Sequence, residues 1–323
     1  MTEQEPCLYR AASIVMTNEG VRSPMRVGRW IAAGTSFLIA VSITVWAVGN
    51  PSFEWSVVRE YLTSPKILDG LWVTLWLTVA VTILSITLGV LQAGMRLSQN
   101  PVLNTVAWFY IWIFRSTPLL VQLLFWFNIG YFIPAFTISL PWSTYSVRTV
   151  DIISPITAAL LGLTMHTVAY AGEIIRGGIL SVSHGQTEAG EVLGMSATRI
   201  FFRIVLPQSL RSIIPAMGNL LVDTLKNTSI VSVLAVNDLL YSAQTIYNSN
   251  YKIVPLLLVA TIWYVTVTSL LSIAQKYLER HFSKGTVKLK NSTNIEKSRK
   301  IHIPEYFDAH EKSTKDIDSR VQK

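Results

Sequence analysis

The chain has 323 residues, of which 50% are hydrophobic and 14% charged, whereas about a quarter of the residues in an ordinary soluble domain are charged. This composition argues against a soluble enzyme and indicates a membrane protein. The net charge is +8, but 280–323 alone holds 11 basic and 6 acidic residues, so the charge does not predict a nucleic-acid-binding patch. The single cysteine, Cys7, excludes an intrachain disulfide and a cysteine-based metal cluster.

Six stretches of the sequence are long and apolar enough to cross a membrane. A hydrocarbon core about 30 Å thick needs about 20 helical residues. Five stretches contain no Lys, Arg, Asp or Glu, whereas the fifth in chain order contains Asp223 and Lys226. It is retained because polar groups at membrane depth can be buried in protein or face a wet cavity. The predicted spans are 30–53, 70–95, 118–136, 152–172, 213–234 and 253–275.

A separate helix at the membrane surface is predicted before the third span. The apolar region 103–136 is longer than one crossing, and Pro118 lacks the backbone donor that would continue a helix. The residue before a proline also disfavours helical geometry. We therefore predict an interfacial helix at 102–114, followed by a break.

The distribution of Lys and Arg predicts the orientation of the spans. Placing both termini in the cytoplasm gives 22 basic residues inside and 5 outside, or 11 against 5 without the C-terminal tail. The first span, with its helix at 30–48, is too long for a cleaved signal and is predicted to be an uncleaved anchor. The external segments 49–69, 137–151 and 235–252 are too short to form a domain.

The two ends of the chain differ in composition from its apolar centre. Residues 1–29 are predicted to be a cytoplasmic N-terminal segment. Residues 283–323 are polar, with mixed charge and no helical period, which predicts a disordered, solvated cytoplasmic tail. The alternative for the tail is binding to lipid or a partner through Lys284, Lys288 and Lys290.

The longest internal segment between spans, 177–212, is predicted to form two short cytoplasmic helices that could dock a cytosolic partner. The first covers 186–193, and Gly194 is expected to end it with a positive φ. Ser196 is expected to cap the second helix through its side chain, and Pro207 to break the helix before the next span. The second helix has an apolar face with Ile200, Phe201, Ile204 and Val205, and a basic face with Arg199 and Arg203.

The spacing in this segment resembles the EAA loop of the transmembrane permease subunits of bacterial ATP-binding-cassette importers. In that family the loop forms coupling helices that sit in a cleft of the ATPase subunit. One position departs from the pattern, since Gly190 stands where the family usually has alanine, which loosens the first helix by up to about 1 kcal/mol. An ordinary amphipathic re-entry loop is the alternative. By position, the implied coupling residues are Gln186, Glu188, Ala189, Gly190, Gly194, Ile204, Leu206 and Pro207.

Further segments resemble the polar amino-acid subgroup of these permeases, the histidine and glutamine permease type. They are 115–122, 169–179, 185–186 and 226–230. The resemblance implies an all-α membrane protein with six transmembrane helices. A five-helix importer permease core at 55–282, with its coupling loop at 185–207, would carry one additional N-terminal helix.

The same resemblance implies a permease subunit that moves a polar amino acid or an analogue into the cytoplasm across the plasma (inner) membrane. Its implied partners are two ATPase subunits, a second permease that is identical or related, a periplasmic or extracellular solute-binding protein and the lipid bilayer, with no nucleic acid. The chain has no GxxxxGK[ST] phosphate loop. We therefore expect no cofactor and no enzymatic activity in this chain, with ATP and Mg²⁺ on the partner ATPase.

Polar side chains inside the predicted spans are candidates for the translocation path, because ions at membrane depth usually face the interior of a bundle. Asp223 and Lys226 are three residues apart, so they can instead pair and lock a helix. Glu173 and Arg176 are predicted to form a structural ion pair with the same spacing. The candidates for the path are His166, Asn219, Asp223, Lys226, Thr228 and Ser229.

Two other function classes are compatible with the spans. A secondary transporter or channel for small polar solutes explains the polar residues but leaves the cytoplasmic segment without a role. A membrane-embedded enzyme is disfavoured because the sequence has no HExxH, nucleophile elbow or paired-carboxylate arrangement. The sequence leaves open which solute is carried and whether the two permeases are identical.

Overall fold

The computed structural model describes residues 27–140 and 142–282, and most of them are helical. The predicted segments before Val27 and after Phe282 lie outside the described residues. Two strands, β1 (Ala135–Leu140) and β2 (Ser143–Arg148), form an antiparallel hairpin. Four short helical turns, of 3₁₀ or π type, are Pro51–Phe53, Ile129–Tyr131, Phe201–Val205 and Thr228–Leu234. The α-helices are α1 (Val27–Gly49), α2 (Trp55–Leu62), α3 (Pro65–Leu97), α4 (Pro101–Ser116), α5 (Leu119–Phe127), α6 (Thr149–Ile152), α7 (Pro155–Leu180), α8 (His184–Val192), α9 (Ala197–Ile200), α10 (Leu206–Asn227), α11 (Leu239–Asn250) and α12 (Ile253–Phe282).

Within the described residues, five helical stretches are long and apolar enough to cross a membrane. They are Trp30–Gly49, α3, α7, the continuous run Ala197–Leu234 and α12. The helices α4 and α5 reach the same length only together, and they are bent by 104° at their break. Six crossings result if this bent pair counts as one. The all-α fold class is confirmed, with the β1–β2 hairpin as an unpredicted addition.

The predicted span at 118–136 is wrong in its extent. Helix α5 ends at Phe127, where the Asn128 side chain donates to the Leu124 carbonyl oxygen at 2.8 Å. Nine helical residues cover about 14 Å, which is less than half of a bilayer core. Gly130 and Pro134 follow, and both disfavour helix continuation. The predicted break before Pro118 is confirmed, because it separates α4 from α5.

The core is formed where α3 packs along α7 through small residues. A side-chain carbon at Gly89 would lie 2.9 Å from the Cβ of Ala171, so the two backbones approach as closely as glycine allows. Leu77, Val81 and Leu163 fill the neighbouring layer and are fully or almost fully buried. Small residues at a helix contact are typical of membrane bundles, where packing rather than water exclusion drives association.

The outer surface of the helices is apolar, as expected for contact with lipid. None of the most apolar 18 residues of α1 is buried, and Phe37 and Trp46 are among its exposed side chains. The exposed faces of α3 and α4 carry Trp72, Trp76 and Trp108. Such a surface is unsuited to water and supports the membrane assignment.

Candidate coupling arm and polar helix face

The segment predicted to be cytoplasmic and to dock a partner forms a short arm, which we define as α8, α9 and the π-helical turn Phe201–Val205. The prediction of a helix at 186–193 is confirmed within two residues, since α8 covers His184–Val192. The arm joins α7 to α10.

Gly194 ends α8 in the conformation predicted from the sequence. Its φ is +69°, in the left-handed region. The Gly194 N–H donates to the Glu191 carbonyl oxygen at 2.8 Å, and the Met195 N–H to the Gly190 carbonyl oxygen at 3.1 Å. These two bonds form a Schellman motif, which satisfies carbonyls left free at a helix end. The turn between the two helices of the arm is therefore closely specified.

Gly190 is the point of closest approach between the two halves of the arm. It is buried, and a side-chain carbon there would lie 2.9 Å from Cγ1 of Ile200 and 3.3 Å from Cδ1 of Ile204. The glycine that departs from the family pattern thus allows α8 to rest directly on the apolar face of the second helix.

The second half of the arm differs from the prediction at both of its ends. Ser196 occupies the cap position of α9, but its side chain accepts no capping bond. Pro207 does not break the helix, because the turn Phe201–Val205 is π-helical and the Leu206 N–H bonds to the Phe201 carbonyl oxygen. The wider turn removes the demand for an N–H at Pro207 and leaves room for its ring, so the helix continues into α10.

The tip of the arm exposes an apolar patch beside a carboxylate. Val192 and Leu193 are 88% and 78% exposed. Glu188 and Ala189 are also exposed, and His184 Nδ1 lies 2.9 Å from Glu188 Oε1. Exposed apolar side chains at a helix end, rimmed by polar groups, are typical of a protein-docking site.

The base of the arm is fixed to two membrane helices. Gly178 of α7 packs against the Ile213 side chain of α10, and the Ser181 and Ser212 hydroxyl oxygens lie 3.3 Å apart. Gln186 Oε1 accepts a bond from Gln208 Nε2 at 3.5 Å. Leu206 is half-buried at this junction. The base of the arm is therefore in direct contact with α10.

Three of the predicted path residues lie on one exposed side of α10, which we call the polar face. Asn219, Asp223 and Lys226 follow one another at helical spacing and are exposed. Lys226 Nζ donates to Asp223 Oδ1 at 3.0 Å, and Gln275 Nε2 of α12 donates to Asn219 Oδ1 at 2.9 Å. The predicted Asp223–Lys226 pair is confirmed, but both side chains remain more than half exposed.

The other predicted path residues lie outside the polar face or have hydroxyls that are hydrogen-bonded to the backbone. Thr228 is buried and donates to the Leu225 carbonyl oxygen at 2.6 Å. Ser229 donates to the Lys226 carbonyl oxygen at 2.7 Å. His166 lies on α7, half-buried, with its ring 5.0 Å from that of Tyr170. The hydroxyls of Thr228 and Ser229 are thus bound to the backbone of their own helix.

The predicted Glu173–Arg176 pair is confirmed as a two-pronged ion pair. Arg176 Nε and Nη2 donate to the two carboxylate oxygens of Glu173 at 2.8 and 2.9 Å. The side chains are 22% and 28% exposed, so the pair is partly shielded from solvent. Nearby, Arg115 lies over the Tyr170 ring at 5.1 Å.

Two glutamines with clear structural roles were missed from the sequence. Gln122 Nε2 donates to the Phe114 and Thr117 carbonyl oxygens, both at 3.0 Å, and so bridges the break between α4 and α5. Gln275 connects α12 to Asn219, as described above. An amide in an otherwise apolar span needs partners, and this signal was available in the sequence.

Comparison with known proteins gives a consistent result. Residues 85–284 match the family described as binding-protein-dependent transport system inner membrane component. The chain is 38% identical to the arginine transport system permease protein ArgU of Corynebacterium glutamicum, over 81% of this chain and 82% of that protein. It is 31% identical to the glutamine transport system permease protein GlnP of Escherichia coli K12, over 71% and 97%. A crystal structure of an amino acid ABC transporter with histidines is 32% identical with a TM-score of 0.58, covering 67% of this chain and 94% of that one.

Proposed function

Because the chain belongs to the family of binding-protein-dependent transport system inner membrane components, we propose that it is the permease subunit of an ATP-binding-cassette importer for a polar amino acid or a close analogue. It is a multi-pass protein of the inner membrane. The observation that supports the proposal most directly is the arm, whose exposed tip suits docking and whose base continues into a membrane helix.

The arm has the properties of a lever. Its turn is specified by the Schellman bonds at Gly194, and its two halves touch at Gly190 without an intervening side chain. Its second half is continuous with α10 through Pro207. A partner that moves the tip therefore moves α10 as well, which is the requirement for coupling to a membrane path.

The docking partner is proposed to be an ATPase subunit, one for each of two permeases. ATP and Mg²⁺ would bind to that partner, because this sequence contains no phosphate-binding loop. In the docked state Glu188, Ala189, Val192 and Leu193 would contact the ATPase. An external solute-binding protein would deliver the solute to the opposite side of the membrane.

The polar face of α10 is proposed to line the path of the solute. A carboxylate, an ammonium group and an amide side by side are costly on the lipid-facing side of a span. They are tolerated if a second permease, identical or related, covers this face and leaves a wet passage between the chains. Asp223 and Lys226 together match the two charges of a zwitterionic amino acid, and relatives are named for arginine and glutamine transport.

Both termini are proposed to lie in the cytoplasm, on the evidence of the Lys and Arg distribution. The arm would then face the cytoplasm, where an ATPase is available. Labelling of cysteines placed at the N-terminus and in the arm with a membrane-impermeant reagent tests this orientation in intact cells. Labelling at both places only after permeabilisation is expected.

The proposed function is tested by reconstituting the permease with its co-purifying subunits in liposomes. Uptake of radiolabelled amino acids should require ATP inside the liposomes and the binding protein outside. The matched control contains a non-hydrolysable ATP analogue and should show no uptake. Uptake driven by an ion gradient without ATP would contradict the proposal and favour a secondary transporter or channel.

A further inference from the structure

The β1–β2 hairpin has one apolar face and one polar face. Its register places Phe136 opposite Val147, and Tyr145 lies two positions along on the same face. The opposite face carries Thr137 and Ser146, whose hydroxyl oxygens lie 3.1 Å apart. The hairpin is therefore amphipathic across its thickness.

Both faces of the hairpin are exposed in the described part of the chain. On the apolar face, Phe136, Tyr145 and Val147 are 47%, 62% and 48% exposed. A two-stranded ribbon is at best marginally stable in water unless a third element covers its hydrophobic side. The apolar face therefore requires contact with lipid or with another protein.

The base of the hairpin is closed by hydrogen bonds between the residues that precede β1 and the residue that follows β2. Thr149 is buried, its N–H donates to the Pro134 carbonyl oxygen at 2.9 Å, and its hydroxyl bonds to the Ile133 carbonyl oxygen. The ribbon lies between the end of α5 at Phe127 and the start of α7 at Pro155. It therefore emerges at the level where two apolar helices end.

An exposed aromatic contact joins α5 to the segment that leads into the hairpin. The Phe125 ring of α5 lies 5.6 Å from that of Phe132, and both are exposed. Tyr131 and Trp142, which flank the strands, are 86% and 81% exposed. Tyrosine and tryptophan are the residues that collect at the boundary between lipid and water.

The charges near the hairpin lie away from its apolar face. Arg148 pairs in register with Ala135, on the same side of the hairpin as Thr137 and Ser146. Its guanidinium donates to both carboxylate oxygens of Asp151, at 2.9 and 3.0 Å. This contact holds the pKa of Asp151 below its usual value. The apolar face thus presents aromatic and aliphatic side chains to its surroundings.

We propose that the hairpin is a membrane-surface anchor that lies flat in the outer lipid headgroup region, with Phe136, Tyr145 and Val147 directed into the acyl chains. The occupant of its apolar face is the bilayer itself. A lipid surface is present wherever the adjoining helices are inserted. The opposite side of the hairpin, with Thr137 and Ser146, faces water. This inference rests on membrane insertion and on the proposed orientation of the chain, and not on the proposed transport function.

The test measures the surroundings of alternate residues by electron paramagnetic resonance. A nitroxide is attached at Tyr145→Cys, Val147→Cys, Thr144→Cys or Ser146→Cys in a Cys7→Ser background, in the complex reconstituted in phospholipid vesicles. Collisions with oxygen, which concentrates in lipid, are compared with collisions with a water-soluble nickel chelate. We expect the logarithm of the oxygen rate divided by the nickel-chelate rate to be positive at Tyr145→Cys and Val147→Cys. It should be negative at Thr144→Cys and Ser146→Cys.

Two results would overturn the proposal. A low collision rate with both reagents at Tyr145→Cys and Val147→Cys means that another protein, such as the external binding protein or a second copy, covers the apolar face. A high rate with the nickel chelate at all four positions means that the ribbon projects into water. Phe136→Cys provides an independent reading of the apolar face if either strand-β2 variant fails to insert.

Discussion

The pair formed by α3 and α7 differs from the continuous run formed by the arm and α10. Of the most apolar 18 residues, 61% are buried in α7 and 33% in α3, compared with 22% in Ala197–Leu234. The first pair is closed by small residues at backbone distance. The second contains a π-helical turn, Pro215 within a helix and an exposed polar face. We infer that α3 and α7 form the fixed part of the molecule and that the arm and α10 form the part that moves.

The physical reason lies in the contacts that motion would break. Sliding α7 past α3 would lose close packing at Gly89 and Ala171 over the most buried part of the bundle. Fewer residues are buried in α10 than in α7, and π turns and prolines are the features at which helices bend most readily. The four predictions below test this division, beginning with the largest expected effect.

The largest effect is expected from Gly194→Asp in the arm. Aspartate in the left-handed conformation costs about 1 kcal/mol, and the new carboxylate lies at the docking tip. No other atom lies within 4 Å of a side chain there, so folding and insertion should be largely retained. Uptake in liposomes is expected to fall about 100-fold or more, while ATP hydrolysis by the complex persists.

Gly185→Asp is the matched control for this variant, because it adds the same charge to the same arm. Gly185 lies in α8, where an added Cβ would meet only Ser183 Oγ at 3.8 Å, an ordinary contact distance, and its backbone is not left-handed. We expect much smaller loss of uptake from this variant. Equal loss in both would mean that charge alone, and not the turn at Gly194, is responsible; normal uptake by Gly194→Asp would contradict the lever.

A smaller effect on uptake is expected from Lys226→Met on the polar face. The Asp223–Lys226 pair is exposed, so its loss should change stability by less than about 1 kcal/mol. If Lys226 contacts the solute, uptake should fall about tenfold, since a hydrogen bond to a charged group contributes about 1.5 kcal/mol or more. The measurement is the initial rate of uptake as a function of amino-acid concentration.

The control for Lys226→Met is Arg148→Met. Arg148 and Asp151 form an exposed pair with the same spacing, but in the hairpin region rather than on α10. Unchanged uptake in Arg148→Met together with reduced uptake in Lys226→Met would assign the effect to the polar face. Unchanged affinity and rate in both variants would remove Lys226 from the path.

The fixed part is tested by Gly89→Ala in α3. The added carbon would meet Ala171 Cβ at 2.9 Å and the Gly172 nitrogen at 3.1 Å, and neither can move without shifting α7. We expect a destabilisation of about 1–3 kcal/mol, measured by thermal unfolding in detergent. Gly94→Ala, in the same helix but with open space around it, should be neutral or stabilising by up to about 1 kcal/mol. Similar melting temperatures for the two variants would contradict the close α3–α7 contact.

The sequence was sufficient to predict features that depend on local chemistry. The lengths of apolar stretches predicted six crossings, five of which correspond to single helical stretches. Helical spacing predicted the pairs Glu173–Arg176 and Asp223–Lys226, and the position of Gly194 predicted the end of α8. Features that depend on compensation elsewhere in the chain were not predicted. A proline is expected to break a helix, but the π turn before Pro207 changes the bonding pattern so that the helix continues.

The hairpin and the polar contacts between helices were missed for a related reason. Most of the hairpin falls in 137–151, which was predicted only as a short external segment, and its formation depends on the pairing of two strands rather than on either strand alone. The bond between Gln275 and Asn219 joins residues far apart in the chain. The roles of the coupling and path residues are still predictions, which the variants above address.

The smallest effect is expected from Gly190→Ala, where a gain in helix propensity and a steric cost make nearly equal and opposite contributions to stability. Alanine favours the helical conformation of α8 by about 1 kcal/mol. The added carbon, however, would lie 2.9 Å from Ile200 Cγ1 and 3.1 Å from Cδ1, and the second half of the arm must yield by a few tenths of an ångström. The closest atom is Cγ1, so the whole Ile200 side chain or the second half of the arm must shift. This cost offsets the helical gain, so thermal stability should change by less than about 1 kcal/mol. Uptake should fall less than in Gly194→Asp, because the arm keeps its turn and only the distance between its two halves changes. A loss of uptake as large as that of Gly194→Asp would show that the contact at Gly190, rather than the turn, transmits the movement to α10.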